Sequence, residues 1–209
     1  MIKISCLGDS IRGQYGPVVK KRLGDEFEMF APLDNCRYSK YTLRGLYDWK
    51  EDMQGSRIVH WNCGLWDACD LFGDGPFATV EEYKANILRT ADIMLSRHEI
   101  VIFATTTPVA PLNKREKNED IIKYNAAVVE ELSKKGVIIN DLFSLVAADI
   151  PRYIRNDHIH LSEEGIEVCA NAVERAIRDA AATLPAIADP EKFIAEAPEL
   201  GAPIAYNGK

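Results

Sequence analysis

The chain lacks the features that would place it in several broad classes of protein. Lys and Arg together number 25 against 32 Asp and Glu, which gives a net charge of −7. Such a balance disfavours nucleic acid and anionic membranes as partners. No apolar run approaches the ~20 residues that span a bilayer. The first residues show none of the charged region, apolar stretch and cleavage site of a signal peptide, so we expect a cytoplasmic protein.

Metal-binding and disulfide patterns are also missing. The five cysteines are an odd number without the spacing of a metal site, and they are Cys6, Cys36, Cys63, Cys69 and Cys169. Reduced thiols in a cytosolic protein are the interpretation that this pattern favours. We therefore expect no metal and no cofactor.

The sequence does contain strand-like runs that alternate with amphipathic helical segments. The predicted strands are Ile2–Leu7, Phe27–Phe30, Ile58–Trp61, Ile100–Ala104 and Val137–Ile139. Three predicted helices carry apolar residues at helical spacing from Leu43 to Met53, Val80 to Met94 and Ile121 to Leu132, and a fourth begins after Ser162 and runs through Val173 and Ile177. Thr79 and Ser162 are typical N-caps of the second and fourth of these helices.

This alternation predicts an α/β fold, a parallel sheet with helices on both faces. At 209 residues the chain fits one domain, which we place at residues 1–183. Residues 184–209 are rich in Ala and Pro, and we expect them to form an arm on the surface or on a partner subunit rather than a second domain. The sequence leaves open whether the protein is a homo-oligomer.

Two short segments carry the chemistry that the sequence suggests. Gly8-Asp9-Ser10-Ile11 follows the first predicted strand, and Asp157-His158-Ile159-His160-Leu161 precedes the last long helix. A serine hydroxyl is a weak nucleophile and needs a base that a third group orients. Right-handed crossovers bring the carboxyl ends of parallel strands to one edge, where both segments and Asn62 can meet. The alternative for Ser10 is a helix N-cap without chemistry.

These segments, with Asn62 in the loop after the third strand, resemble the SGNH (GDSL-type) hydrolases over most of the chain. The resemblance implies a flavodoxin-like three-layer α/β/α sandwich and ester hydrolysis through an acyl-serine, without a metal. It assigns the nucleophile to Ser10, the base to His160 and the orienting acid to Asp157. His158 competes for the role of base, but the Asp-x-x-His spacing selects His160. His158 would then lie over the mouth of the pocket.

The expected oxyanion hole is where the chain departs from that family. The family uses a glycine amide after the second strand, yet no glycine occurs between Gly24 and Gly45. We expect donors from the Ser10 amide, from a non-glycine amide at Arg37, and from the Asn62 side chain, with Asn35 as the alternative to Asn62. The family pattern Gly-x-Asn-Asp is also altered, since this chain has Asn62-Cys63-Gly64-Leu65-Trp66-Asp67.

The residues around these motifs favour a polar substrate. The Arg37 guanidinium could clamp a carboxylate or a pair of sugar hydroxyls, or simply pair with a surface acid. Trp66 could form a platform under a sugar or an acyl group, or be buried. We expect an esterase that deacylates a small oxygen ester, with an acetylated sugar or oligosaccharide as the favoured substrate. The alternatives are a lysophospholipase or thioesterase, and a non-catalytic binding module on the same fold.

Overall fold

The computed structural model describes residues 1–197 and shows one five-stranded sheet in the order β2-β1-β3-β4-β5. Every neighbouring pair of strands is parallel. The strands are β1 Ile2–Leu7, β2 Phe27–Phe30, β3 Ile58–Asn62, β4 Ile100–Ala104 and β5 Ile138–Asn140. The predicted parallel sheet is confirmed, and each predicted strand boundary lies within one residue of the observed one.

Helices cover the sheet in two layers. They are α1 Ser10–Leu23, α2 Ser39–Asp48, α3 Lys50–Met53, α4 Val80–Leu95, α5 Asn118–Lys134, α6 Leu142–Ala147, α7 Ile150–Tyr153, α8 Glu163–Ala182 and α9 Pro190–Glu196. Helix α8 packs against α1, α6 and α7, and α4 packs against α2 and α5. The predicted three-layer α/β/α sandwich is therefore confirmed.

Local sequence signals account for where several helices begin. Thr79 Oγ1 accepts from the Glu82 amide at 3.2 Å, and the Glu82 carboxylate accepts from the Thr79 amide at 2.9 Å, a capping box that starts α4. The Ser162 hydroxyl caps α8 by accepting from the Gly165 amide at 3.1 Å. Both predicted caps are confirmed.

The segment from Leu43 to Met53 forms two helices instead of the single helix that its spacing predicts. The helical run ends at Asp48, and α3 starts after Trp49. The Trp49 indole covers Gly45 so closely that a Cβ at Gly45 would lie 2.3 Å from the ring. The break between the two helices thus occurs where the Trp49 ring packs on Gly45. The spacing of apolar residues alone does not indicate this contact.

The described part of the C-terminal arm lies at the amino end of the sheet. Gln54 Nε2 donates to the Ala197 carbonyl at 2.7 Å, and Arg57 Nη2 donates to the Pro185 carbonyl at 3.0 Å. Both side chains precede β3, so this arm lies at the edge opposite Ser10. Residues 198–209 lie outside the described part of the chain, and the division at residue 183 stays a prediction. Within residues 1–197, no helix combines the length and apolar character needed to cross a bilayer.

Candidate active site

The turn after β1 places Ser10 at the start of a helix. Strand β1 ends at the buried Leu7, and Ser10 is the first residue of α1. The residue that caps this helix is Asp9, whose Oδ1 accepts from the Ile11 amide at 3.0 Å. The alternative that Ser10 is the N-cap is therefore wrong. As a first-turn amide, the Ser10 N–H has no acceptor within its own helix and is available to a ligand.

Ser10, His160 and Asp157 form one continuous chain of hydrogen bonds. Ser10 Oγ lies 2.9 Å from His160 Nε2, and His160 Nδ1 lies 3.0 Å from Asp157 Oδ2. An ionised carboxylate only accepts, so Nδ1 carries the ring proton and Nε2 is left to accept from the serine hydroxyl. This is the tautomer that a general base facing Ser10 requires.

The Asp157 carboxylate is held by several donors. Its Oδ1 accepts from the amides of Ile159 at 3.2 Å and His160 at 2.9 Å, and its Oδ2 accepts from Arg155 Nε at 2.6 Å. Partial burial raises the pKa of Asp157, but the bonds from the His160 amide, Arg155 and the Ile159 amide outweigh it and hold the pKa below its ordinary value. The carboxylate is therefore ionised at neutral pH and fixed in its orientation toward the imidazole.

A second residue of α1 connects the helix to the histidine loop. Gln14 Oε1 accepts from the Leu161 amide at 2.9 Å, and Gln14 Nε2 donates to the Leu161 carbonyl at 3.1 Å. Gln14 lies one helical turn after Ser10, and Leu161 directly follows His160. The two bonds thus attach the backbone beside the base to the helix that carries the serine.

Asn62 lies at the end of β3 and is buried beneath the Gly8–Ser10 turn. Its Nδ2 donates to Asp9 Oδ1 at 2.8 Å, and its Oδ1 accepts from the Tyr15 hydroxyl at 3.2 Å. A Cβ at Gly8 would lie 2.0 Å from Asn62 Oδ1, so only glycine fits there. Asn62 therefore lies against the turn that carries Ser10, as predicted from sequence order, while its role as an oxyanion donor stays a prediction.

The loop after β2 does not offer the amide that we expected from Arg37. The Arg37 amide already donates to Asn35 Oδ1 at 2.7 Å, within one Asx turn. Arg37 has φ +49°, a left-handed conformation that glycine usually adopts. Arg37 thus adopts a backbone conformation typical of glycine, but the structure contradicts the expectation that its amide donates to the oxyanion, because that amide is engaged by Asn35. The same hydrogen bond also occupies Asn35 Oδ1.

The Arg37 guanidinium makes two contacts of its own. Its Nη2 lies 3.5 Å from Asp34 Oδ1, and its Cζ lies 4.7 Å from the centroid of the Tyr41 ring. Arg37 thus pairs with a surface acid, as one of the two expectations for it stated. The clamp on a substrate stays a prediction, since an exposed pair of this kind is weak and exchanges readily.

His158 lies in the loop before α8 and Trp66 in the loop after β3, and neither side chain makes a hydrogen bond to Ser10 among the described residues. His158 has φ +68°, and its carbonyl accepts from the Ala110 amide at 2.9 Å. Trp66 is 43% exposed, so the alternative that it is buried is wrong. Contacts of either side chain with a substrate stay predictions.

A buried carboxyl joins the loops that follow β2 and β3. Asp67 Oδ2 accepts from the Ser39 amide at 2.9 Å, and Asp67 Oδ1 accepts from the Ser39 hydroxyl at 2.6 Å. Burial raises the pKa of Asp67 to about 6, although the bonds from Ser39 oppose the shift. This carboxyl therefore anchors the start of α2 to the loop that carries Trp66.

Sequence reasoning missed the residues that hold Ser10, His160 and Asp157, and the neighbouring Asn62, in place. Gln14 and Tyr15 bond to residues that are distant in the sequence, Leu161 and Asn62, and Arg155 bonds to Asp157. No sequence motif indicates any of these three residues. Asp67 has only a weak signal, since it is an acid in the loop that follows Asn62. Among residues 1–197, no group of three or more His, Cys, Asp or Glu side chains is arranged to hold a metal ion.

Comparison with solved structures identifies the fold. A lipase/acylhydrolase from Enterococcus faecalis aligns at a TM-score of 0.71 with 19% identity, over 86% of this chain and 97% of that one. A GDSL-like lipase from Bacteroides thetaiotaomicron aligns at 0.70 with 17% identity, over 85% and 88%. A carbohydrate esterase family 3 protein from Talaromyces cellulolyticus aligns at 0.70 with 15% identity, over 88% and 100%.

No family model and no curated protein matches the chain. The structural likeness therefore establishes the fold, which is that of GDSL-like lipases, acylhydrolases and carbohydrate esterases. The fold that the sequence resemblance implied is confirmed. The activity has to be argued from the geometry of the site, since one fold can carry many functions.

Proposed function

We propose that the protein is a serine esterase that hydrolyses a small oxygen ester through an acyl-serine intermediate, without a metal or cofactor. The observation that carries this proposal is the chain of hydrogen bonds from Ser10 Oγ through His160 to Asp157, at 2.9 Å and 3.0 Å. Nucleophile, base and orienting acid are thereby within hydrogen-bond reach in the tautomer that acyl transfer needs.

The reaction proceeds in two halves. Ser10 Oγ attacks the ester carbonyl carbon while His160 Nε2 takes the hydroxyl proton, and the tetrahedral intermediate collapses as His160 returns that proton to the leaving alcohol. Water then attacks the acyl-serine, losing its proton to His160. Collapse of the second intermediate releases the carboxylic acid and restores Ser10 with the proton from His160. Asp157 stays ionised and stabilises the imidazolium that forms in each half.

Donors for the oxyanion come from two elements. The Ser10 amide is free at the start of α1, where the helix dipole also favours negative charge. The Asn62 side chain supplies the second donor from the end of β3. Removal of one such donor in other hydrolases costs ~10²–10³ in kcat, so these two groups contribute much of the expected rate.

The aromatic side chains beside Arg37 support a sugar ester over a long acyl chain. Tyr38 packs against Phe77 at a centroid distance of 4.9 Å and against Tyr41 at 6.0 Å, and Arg37 lies over Tyr41. An aromatic row with a guanidinium suits a polar ring with apolar faces. Three structural neighbours are named as esterases of carbohydrates, among them an acetyl xylan esterase. We accordingly propose an acetylated sugar or oligosaccharide as substrate. We also propose the cytoplasm as location, because all five cysteines are free thiols in the structure.

A lysophospholipase or thioesterase is the second candidate. The observation that favours it is a group of exposed apolar side chains on the loops after β2, β3 and β4, namely Leu33, Leu71, Phe72 and Leu112. Three structural neighbours are named as lipases. A non-catalytic binding module is the third, because the Arg37 amide is engaged in its own loop and unavailable as a donor.

Labelling and chain-length preference test these candidates together. A fluorophosphonate probe should label the wild type and not Ser10→Ala, and failure to label the wild type would leave the binding module. Hydrolysis of p-nitrophenyl acetate should exceed that of the palmitate ester, whereas the reverse order would favour the lipase. Release of acetate from an O-acetylated xylo-oligosaccharide should be lost in Ser10→Ala, and its absence from the wild type would contradict the sugar assignment.

A further inference from the structure

Tyr15 and Asp9 hold the Asn62 amide from both ends. The Tyr15 hydroxyl donates to Asn62 Oδ1 at 3.2 Å, and Asp9 Oδ1 accepts from Asn62 Nδ2 at 2.8 Å. Tyr15 is fully buried, and Asn62 and Asp9 are almost so. The close approach of Asn62 Oδ1 to Gly8 confines the amide further. No motif in the sequence points to Tyr15, which reaches Asn62 from the inner face of α1.

These contacts determine which way the amide faces. A side-chain amide can rotate by half a turn at little cost unless its oxygen and nitrogen have different partners. Burial raises the pKa of the Tyr15 hydroxyl well above its ordinary value, so the hydroxyl stays a donor throughout any assay range. The Tyr15 hydroxyl therefore fixes Asn62 Oδ1 on its own side and leaves Nδ2 on the side of Asp9.

The nitrogen retains one hydrogen for a ligand. Asn62 Nδ2 carries two hydrogens, and one is engaged by Asp9 Oδ1. Within residues 1–197, the structure shows no second acceptor for this nitrogen. The geometry of a planar amide directs the two N–H bonds about 120° apart, so the second one points away from the Asp9 oxygen that holds the first.

We propose that Tyr15 is a positioning residue for the oxyanion hole, acting through Asn62. Its hydroxyl holds the amide with one N–H directed at the oxygen that becomes negative when Ser10 attacks the ester. Tyr15 itself does not touch the substrate. This inference rests on the proposed esterase function. It adds Tyr15 as a residue that lowers the energy of the transition state by holding the Asn62 amide in place.

The test removes only the hydroxyl. Tyr15→Phe should lower kcat for p-nitrophenyl acetate about tenfold with KM unchanged. The reason is that the Asn62 amide, which Tyr15 positions, donates to the substrate only in the transition state and so affects kcat alone. The rate is expressed per site labelled by a fluorophosphonate, so that partly misfolded protein does not count. Tyr124→Phe is the matched control, since this buried tyrosine donates its hydroxyl proton to the Ala78 carbonyl and not to Asn62. It should retain the wild-type kcat.

A double-mutant cycle separates positioning from a general structural effect. In an Asn62→Ala background, Tyr15→Phe should cause no further loss of kcat, because the group it positions is gone. Equal losses in both backgrounds would overturn the proposal, as would an unchanged kcat in Tyr15→Phe or a rise in KM alone. If the wild type is neither labelled nor active, the proposed function fails first, and this outcome is distinct from the others.

Discussion

The side-chain amide of Gln14 makes two hydrogen bonds with the backbone of Leu161, at 2.9 Å to its amide and 3.1 Å to its carbonyl. Ser10 and Gln14 share one helix, and Leu161 is the neighbour of His160. The distance between Ser10 Oγ and His160 Nε2 is therefore supported by a second connection between the same two segments. A loop without such a connection would hold the base less firmly.

We predict that Gln14→Leu lowers kcat by roughly 10- to 100-fold, because a small misplacement of the base is costly when the reacting groups must align. The measurement is the rate of p-nitrophenyl acetate hydrolysis at saturating substrate. Gln54→Leu is the matched control, since this half-buried glutamine donates to the Ala197 carbonyl at the opposite edge of the sheet. A loss of similar size in both variants would contradict the prediction.

The sheet and the central three residues could be predicted because their signals are local. Each strand is an apolar run that stops at a turn residue, and the order of motifs places Ser10 and His160 at one edge. The sequence does not indicate α1 as an amphipathic helix, because α1 contains Gly13, Gly16 and Pro17 and packs against both β1 and α8. Gln14 and Tyr15 lie on that helix, so their partners could not be predicted either.

The second prediction concerns the orientation of the imidazole. Asp157→Asn should lower kcat by about 10³- to 10⁴-fold, since an amide nitrogen facing His160 Nδ1 would favour the wrong tautomer. Asn can still accept from the Ile159 and His160 amides through its oxygen, so we expect the loop to keep its conformation. The kcat is measured beside the circular dichroism spectrum and the fluorophosphonate-labelled fraction.

A matched variant, Arg155→Gln, tests whether the guanidinium orients the Asp157 carboxylate. Arg155→Gln removes the guanidinium from Asp157 but leaves both amide donors in place. Its loss should stay within about tenfold, because the pair is exposed and screened by solvent. If Arg155→Gln proves as damaging as Asp157→Asn, the orientation of Asp157 depends on Arg155 rather than on the loop backbone.

The third prediction distinguishes the two histidines. His158 has φ +68°, so a glycine there should be tolerated, with kcat within tenfold of wild type and stability within about 1 kcal/mol. His158→Val should cost more stability, since a β-branched residue is strained in this conformation. Steady-state kinetics and urea unfolding check both statements. A collapse of kcat in His158→Gly to the level of His160→Ala would assign the base to His158 instead.

Positive φ values at His158 and Arg37 also explain why the backbone conformation of two loops at the site could not be predicted from the sequence. Both residues occupy left-handed backbone conformations that sequence reasoning assigns to glycine. At Arg37, the left-handed turn after β2 is therefore formed by a residue type that does not indicate such a turn in the sequence. The sequence predicted the location of this loop, but the bond from the Arg37 amide to Asn35 depends on a conformation that the residue types do not indicate.

The last prediction uses the buried carboxyl of Asp67. Its pKa is raised from 3.8 to about 6 by burial, so the folded state holds the proton more tightly than the unfolded state. The stabilisation that comes with this proton is complete below pH 3.8 and is lost as the pH rises toward 6. A pKa difference of this size corresponds to about 3 kcal/mol of the free energy of unfolding.

Asp67→Asn has no such proton to lose. Relative to this variant, the wild type should therefore become less stable between pH 4 and pH 6.5, by an amount of roughly 3 kcal/mol or less. Urea unfolding of both proteins at the two pH values measures the difference, and Asp34→Asn serves as a control on an exposed acid whose pKa is shifted downward by the Tyr41 hydroxyl. A constant difference between wild type and Asp67→Asn at both pH values would show that the carboxyl is ionised throughout, with the Ser39 bonds outweighing burial.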